Sequence, residues 1–251
     1  MENLKISTMT AISSINSDIN LDNLYKNITI NSDISFIQHG ALGIKGESHK
    51  TKRKVRKPEK KKTFFNQVTL HLNCLKIVNV KLFNNGKIQM TGLKYEDHGS
   101  KVLDILIPLL KKLDAQYENN ILSTNDIHYN PINIVLINSG FNIGFKVKRD
   151  ILHREIVDCG MYSSYEPCIY PGVNIKYYYN LNTDHGICQC SSVCNGKGDG
   201  SCDGCCKRVT IAVFKSGEII ITGARTTEQL EISYYFIHKF MNDKKELFTL
   251  N

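Results

Sequence analysis

Six cysteines fall within nineteen residues of CQCSSVCNGKGDGSCDGCC: Cys188, Cys190, Cys194, Cys202, Cys205 and Cys206. C-x-C, C-x2-C and adjacent C-C pairs bring soft sulfur donors within reach of one ion, and the glycines of NGKGDG let the chain wrap it. The expected chemistry is thiolate ligation of a structural zinc ion by these six residues, with His185 as a spare ligand. Free or disulfide-bonded cysteines are the other reading, because the spacing is not that of a standard zinc finger. A catalytic metal is disfavoured, since no water-activating Glu or His lies beside the run. Cys74, Cys159 and Cys168 are scattered and read as packing residues. The chain carries no phosphate-binding glycine loop, no H-E-x-x-H and no nucleophile elbow, so an enzyme is not expected.

The cysteines sit between two apolar-alternating stretches, which makes them an insertion at the tip of a hairpin. That hairpin has a second copy: LFNNGKIQMTGL around Phe83 and VFKSGEIIITGA around Phe214 lie 131 positions apart. Asn85-Gly86 and Ser216-Gly217 suit the tight turns, and each copy runs on into apolar residues at helical spacing. Alternation gives each hairpin two faces. Val78, Val80, Leu82, Ile88 and Met90 share one side, and Asn79, Lys81, Phe83, Gln89 and Thr91 the other. In the second copy Val209, Ile211, Val213, Ile219 and Ile221 oppose Thr210, Ala212, Phe214, Ile220 and Thr222. The helices must cover the first set in each copy, and no amphipathic helix remains for the other. An open face with a matched Phe is a binding surface or an aggregation hazard. Two copies are too few for a solenoid, so the expectation is two halves related by a pseudo-twofold axis.

Composition agrees with a folded protein: 251 residues, 41% hydrophobic and 22% charged, enough to bury a core. No apolar run approaches the length of a membrane span and the first residues lack the pattern of a secretory signal, so an intracellular, reducing location is expected. The net charge of +8 is concentrated between Lys50 and Lys62, where KTKRKVRKPEKKK holds nine Lys or Arg against one Glu. With Gly43, Gly46 and Pro58 nearby it reads as a flexible insertion, either touching phosphates or serving as a solvated loop or localisation signal.

SSYEPCIYPGVNIKYYYN followed by VTIAVFKSGEIIITGAR resembles the second repeat of the TATA-box-binding protein family, and TFFNQVTLHL through VKLFNNGKIQMTGLK resembles the first. The resemblance covers residues 6–118 as repeat one, with a basic insertion at about 43–62, and 130–247 as repeat two, with the cysteine-rich insertion at 185–206. It implies an α+β saddle: a curved antiparallel sheet of ten strands, concave toward the DNA minor groove, with four helices on the convex face. In that family two aromatic pairs wedge between base steps and kink the duplex. Phe65 and Phe83 match the first pair, Tyr170 and Phe214 the second, with Tyr170 departing from the usual Phe. Thr91 and Thr222 match hydroxyl positions near the sheet centre, Ile220 an apolar groove contact, and Lys87 and Lys176 basic backbone-contacting positions.

Lys81 and Gln89 stand where the family has apolar groove residues, Glu218 replaces a Lys and His71 an Arg. Gapless alignment puts Thr8 and Leu136 where the family has two base-reading Asn, with Asn133 and Asn138 nearby. The family docks its TFIIB-type partner beside the segment matching Glu166, Cys168 and Ile169. The resemblance therefore implies a transcription initiation factor of a divergent lineage such as a large DNA virus, working in a nucleus or viral factory. Its expected partners are A/T-rich double-stranded DNA, a TFIIB-like factor and RNA polymerase, and the cysteine loop is expected to enlarge the partner platform. The alternative is a protein-interaction module or transcription antagonist with weak DNA binding.

Overall fold

The computed structural model describes residues 4–40, 42–47, 64–118, 120–183 and 185–250. The basic run at 50–62 lies outside the described residues. The chain divides into two compact units, residues 9–134 and residues 1–8 with 135–251, called here the N-terminal and C-terminal units. The boundaries fall inside strands, so β1 and β7 are each counted with the unit that holds most of their residues.

The N-terminal unit contains β1 (Lys5–Ser14), α1 (Leu21–Asn27), β2 (Ile34–His39), β3 (Gly43–Gly46), β4 (Gln67–Cys74), β5 (Lys76–Phe83), β6 (Lys87–Leu93) and α2 (His98–Gln116). Its strands lie in the order β3-β2-β4-β5-β6-β1. The C-terminal unit contains β7 (Asn133–Asn142), α3 (Arg149–Asp158), β8 (Tyr162–Ser164), β9 (Val173–Tyr179), β10 (Lys207–Val213), β11 (Glu218–Ala224), α4 (Thr227–Asp243) and α5 (Lys245–Phe248). Its strands lie in the order β7-β11-β10-β9-β8. The pairs within each unit are antiparallel, and the fold is α+β.

Period-two alternation decides what each strand buries. Val78, Val80, Leu82, Ile88 and Met90 are completely buried, as are Val209, Ile211, Val213, Ile219 and Ile221. The helices supply the other half of each core. Val102, Leu103, Leu106, Leu110 and Leu113 recur at helical spacing along α2, and Leu230, Tyr234, Ile237 and Met241 along α4, all of them buried. Thr226 starts α4 by accepting the Gln229 amide at 3.2 Å, satisfying one of the free donors of the first turn. Gly86 and Gly217 turn the two hairpins at φ +73° and +87°, and a Cβ at either would come 2.3 Å from a carbonyl oxygen, of Ser17 and Phe145 respectively. Only glycine fits there. No helix among the described residues is long and apolar enough to cross a membrane.

Two differences from expectation concern element number. Eleven strands and five helices are present among the described residues, where ten and four were expected. The additional helix, α5, is one turn that packs Phe248 against the C-terminal core. The additional strand, β3, lies in what reads from sequence as the start of a flexible insertion. It pairs with β2, from Phe36 opposite Gly46 to His39 opposite Gly43. Lys45 fixes it by donating to the carbonyls of Tyr25, Lys26 and Ile28 at 2.5, 3.1 and 2.9 Å, around the C-terminal end of α1.

Candidate nucleic-acid interface and cysteine site

In each unit the strand residues that do not enter the core form a second face. On the C-terminal unit, register places Lys176 opposite Thr210, Thr210 opposite Thr222 and Thr222 opposite Asn138. These four make a polar rung across β9, β10, β11 and β7. The Lys176 ammonium donates to the Thr210 hydroxyl at 3.0 Å and to Asn174 Oδ1 at 3.4 Å, and the Thr222 hydroxyl donates to Asn138 Oδ1. Burial, and then the charge of Arg208, lower the Lys176 pKa. Ile220 is 42% exposed on the same face, while Ala212 between the strands is buried. At one end the rings of Tyr170 and Phe214 meet edge to face with centroids 5.7 Å apart. Gly172 makes room for them: a Cβ there would lie 2.8 Å from the Tyr170 ring and 3.2 Å from the Phe214 ring. The Arg149 guanidinium, at the start of α3, donates to the Pro171 carbonyl and lies 5.2 Å from the centre of the Tyr165 ring. The loop carrying Tyr170 is thereby tied to a helix.

The N-terminal unit presents the matching face with different chemistry. Its rung runs from His71 through Asn79 and Thr91 to Thr10, with the Thr10 hydroxyl donating to that of Thr91 at 3.4 Å. Lys81 and Gln89 are opposite one another and half-buried, and Lys87 is exposed. Phe83 is half-buried and Phe65 is 67% exposed. Among the described residues no ring pairing joins these two as it joins Tyr170 to Phe214. The outer strands instead carry a Phe36–His71 stack, 4.5 Å between centroids and buried.

The residues that meet Thr91 and Thr222 are Thr10 and Asn138, each two positions beyond Thr8 and Leu136, the pair gapless alignment selects. A register shift lies beside each contact, with Gly92 the extra residue in β6 and Gly223 in β11, and each bulge bends its strand locally. Thr8 is half-buried on the other side of the first shift. Arg208 was also missed. It is exposed on the open face opposite Tyr178, and continuing the alternation of β10 one step back from Thr210 would have found it.

The segment matching the family's partner site is a turn in which Ile169 and Tyr170 both donate to the Glu166 carbonyl at 2.9 Å. Glu166 and Cys168 are exposed, and Ile169 is 83% exposed.

Four of the six expected ligands come together. The sulfurs of Cys188, Cys190, Cys194 and Cys206 all lie within 4.8 Å of one another. Cys202 and Cys205 do not join them and are bonded to each other, so the six-ligand set is corrected to four. The reason is local: the Cys205 amide donates to the Cys202 carbonyl at 3.2 Å, and that turn brings the two sulfurs face to face. Burial first, and then neighbouring sulfurs, push the Cys206 thiol up to about 12. A divalent cation acts in the opposite sense by holding thiolates, and four sulfurs at these separations suit tetrahedral zinc. Asp203 clamps the loop by accepting from the amides of Ser191 and Ser192 at 2.8 and 2.9 Å and from their hydroxyls at 3.0 and 2.5 Å. These bonds, led by the Ser192 hydroxyl, hold its carboxyl at about 2.

The family described as Transcription factor TFIID (or TATA-binding protein, TBP) matches residues 131–243. A TATA-box-binding protein-like protein of Acanthamoeba polyphaga mimivirus is 29% identical over 262 residues, covering 96% of this chain, which spans 65% of that relative's length. TATA-box-binding protein 2 of Entamoeba histolytica is 22% identical over 209 residues, covering 82% of this chain and 79% of that protein. Among solved structures, Methanococcus jannaschii TBP shares the fold at TM-score 0.52 and 17% identity, covering 96% of this chain and 99% of that one. Residues 131–243 thus match the TBP family, and the chain along most of its length is similar to TATA-box-binding protein-like proteins and shares the TBP fold.

Proposed function

We propose that this protein is a transcription initiation factor, encoded by a large DNA virus, that binds and bends A/T-rich promoter DNA through the minor groove. One observation carries the reading: the same hairpin occurs in each unit with its apolar side buried and its other side open. That open side holds a Thr in the polar rung and a Phe at the turn in both units. Aromatic wedges unstack base steps, and the contacting Tyr170 and Phe214 rings make one wedge. Phe65 and Phe83 make the other. Thr91, Thr222, Ile220, Gln89, Lys81 and Thr8 line the groove contact, and Lys87 and Lys176 reach phosphates. Minor-groove readout separates A·T from G·C and responds to deformability, so the replaced Asn positions do not forbid binding.

The turn at Glu166, Cys168 and Ile169 docks a TFIIB-like factor, which brings RNA polymerase. A structural zinc ion at Cys188, Cys190, Cys194 and Cys206 orders the neighbouring loop. The two family repeats, 6–118 and 130–247, each supply half of the DNA surface, in a nucleus or viral factory. Fluorescence energy transfer across an A/T-rich duplex labelled at both ends tests the reading: a sharp bend on addition of protein is expected, and binding without bending rejects it. A second reading, a transcription antagonist, is favoured by the polar Lys81 and Gln89 and by Glu218, whose carboxylate accepts from Asn142 at 2.7 Å at the hairpin turn. It expects partner binding with no bend.

A further inference from the structure

The four clustered cysteines lie on the two chain segments that bracket Arg208. Cys206 stands two residues before Arg208, and Cys194 two residues before Gly196. Gly196 is the in-sheet neighbour of Arg208: the Arg208 amide donates to the Gly196 carbonyl at 2.8 Å. The next pair, Lys197 and Lys207, forms an antiparallel bridge. Gly198 and Gly200 then donate to the carbonyls of Cys206 and Cys205 at 3.2 and 2.7 Å. The insertion thus takes over the edge of β10 where its pairing with β11 has ended at Thr210 opposite Thr222. The loop extends the sheet as well as capping a hairpin.

That extension rests on side chains of the open face. A Cβ at Gly196 would come 2.7 Å from the Arg208 Cβ and 3.1 Å from the Tyr178 ring, so loop backbone lies directly against both. Arg208 and Tyr178 face one another across β10 and β9, one residue pair outward from the buried Val209 and Tyr177. Two positions along the same face is Lys176, whose charge Arg208 opposes. Among the described residues neither Arg208 nor Lys176 forms an ion pair. Two adjacent cations without a carboxylate suit the phosphates of a nucleic-acid backbone.

We infer that metal occupancy of the Cys188–Cys190–Cys194–Cys206 site controls DNA binding by the C-terminal unit, because the ion locks the segments holding Gly196 and Arg208 in register. The inference rests on the metal and DNA readings proposed above. With the ion bound, Arg208 and Tyr178 are held at the outer end of the open face. With it removed, the edge strand loses its anchor, and ordering Arg208 against phosphate must be done at the expense of binding.

The test uses the full chain, loaded with one equivalent of zinc or stripped with a chelator, and measures duplex affinity at several salt concentrations. Stripping should weaken binding about tenfold and make the salt slope shallower by about one contact. Arg208→Ala loaded with zinc should match the stripped wild type, and stripping that variant should change nothing further. Gly196→Val keeps all four cysteines, so it should retain zinc yet bind like the stripped protein; circular dichroism checks its fold, and Arg208→Ala serves if it fails to fold. Equal affinity for loaded and stripped wild type, with one zinc measured in the loaded form, overturns the inference and leaves the metal reading standing. Failure to take up zinc overturns both. Failure of the zinc-loaded chain to bind duplex overturns the DNA reading and the inference with it.

Discussion

The two units share a hairpin but differ in how ready their open faces are. In the C-terminal unit Tyr170 and Phe214 are already in contact, Gly172 leaves them space and Arg149 ties their loop to α3. In the N-terminal unit Phe65 is largely exposed and lies in no ring contact with Phe83 among the described residues. A side chain ordered before binding loses less entropy on binding. The C-terminal unit should therefore contribute more to wedge insertion than its partner repeat. The polar rungs differ in the same sense, since Lys176, Thr210, Thr222 and Asn138 are joined by hydrogen bonds at both ends of the rung, whereas the Thr10–Thr91 contact is long at 3.4 Å.

Removing the wedges one unit at a time gives the largest effect. Unstacking a base step costs a few kcal/mol, which the wedge must offset, so Tyr170→Ala with Phe214→Ala should abolish bending and weaken duplex binding roughly a hundredfold. Phe65→Ala with Phe83→Ala should cost only about tenfold, as an unordered pair contributes less. Energy-transfer bending and titration on one A/T-rich duplex measure both. Equal losses would show that the difference in ring contact has no bearing on the bound state.

The cysteine site offers the next largest effect. Cys206→Ser should lower zinc affinity by more than about a hundredfold, because it removes a ligand of the cluster outright. Cys202→Ser with Cys205→Ser should leave one zinc bound, since that pair lies outside the cluster. Metal content by mass spectrometry under reducing conditions separates them. Zinc loss in the second variant would return Cys202 and Cys205 to the ligand set.

A smaller effect is expected at Gly172. Gly172→Ala places a methyl group 2.8 Å from the Tyr170 ring and 3.2 Å from the Phe214 ring. The ring ends can swing away, so the fold should hold while the wedge opens, reducing duplex affinity roughly fivefold. Thermal unfolding together with duplex titration reads both consequences. A large fall in unfolding temperature would mean that Gly172 serves the core and not the wedge.

Much of this contrast was legible in the sequence where a short period governs. The burial of Val78, Val80 and Leu82 against the openness of Asn79, Lys81 and Phe83 follows from alternation alone, and the same holds for Val209 and Ile211 against Thr210. Alternation does not say which residues face one another across strands, so the contacts of Thr91 with Thr10 and of Thr222 with Asn138 emerge only from the pairing register. Cysteine spacing shows that sulfurs are close in the chain but not which of them converge, and the four-and-two division depends on a turn at residues 202–205. β3 was hidden because two glycines beside a basic run carry no strand period. What makes it a strand is its pairing with β2 and the long-range reach of Lys45.

Lys45 yields the smallest effect and tests the comparison from the opposite side, since each unit has an insertion with its own anchor. The C-terminal insertion is anchored by sulfurs and by Asp203, the N-terminal one by a single ammonium on the carbonyls of Tyr25, Lys26 and Ile28. Those carbonyls lie at the negative end of α1, where a cation is favourable and the last carbonyls lack helical donors. The Lys45 ammonium also lies over the Tyr25 ring, 4.7 Å from its centre. Lys45→Met keeps the apolar stem and removes the donors, so it should destabilise the fold by about 1–2 kcal/mol. Urea unfolding of the full chain measures this, and hydrogen exchange at the amides of residues 43–46 locates it. Bending and zinc content should be unchanged, because neither Tyr170, Phe214 nor any clustered cysteine touches this anchor. A loss of bending in Lys45→Met would show that the edge of the N-terminal unit, which holds no wedge residue, nevertheless shapes the DNA-binding face.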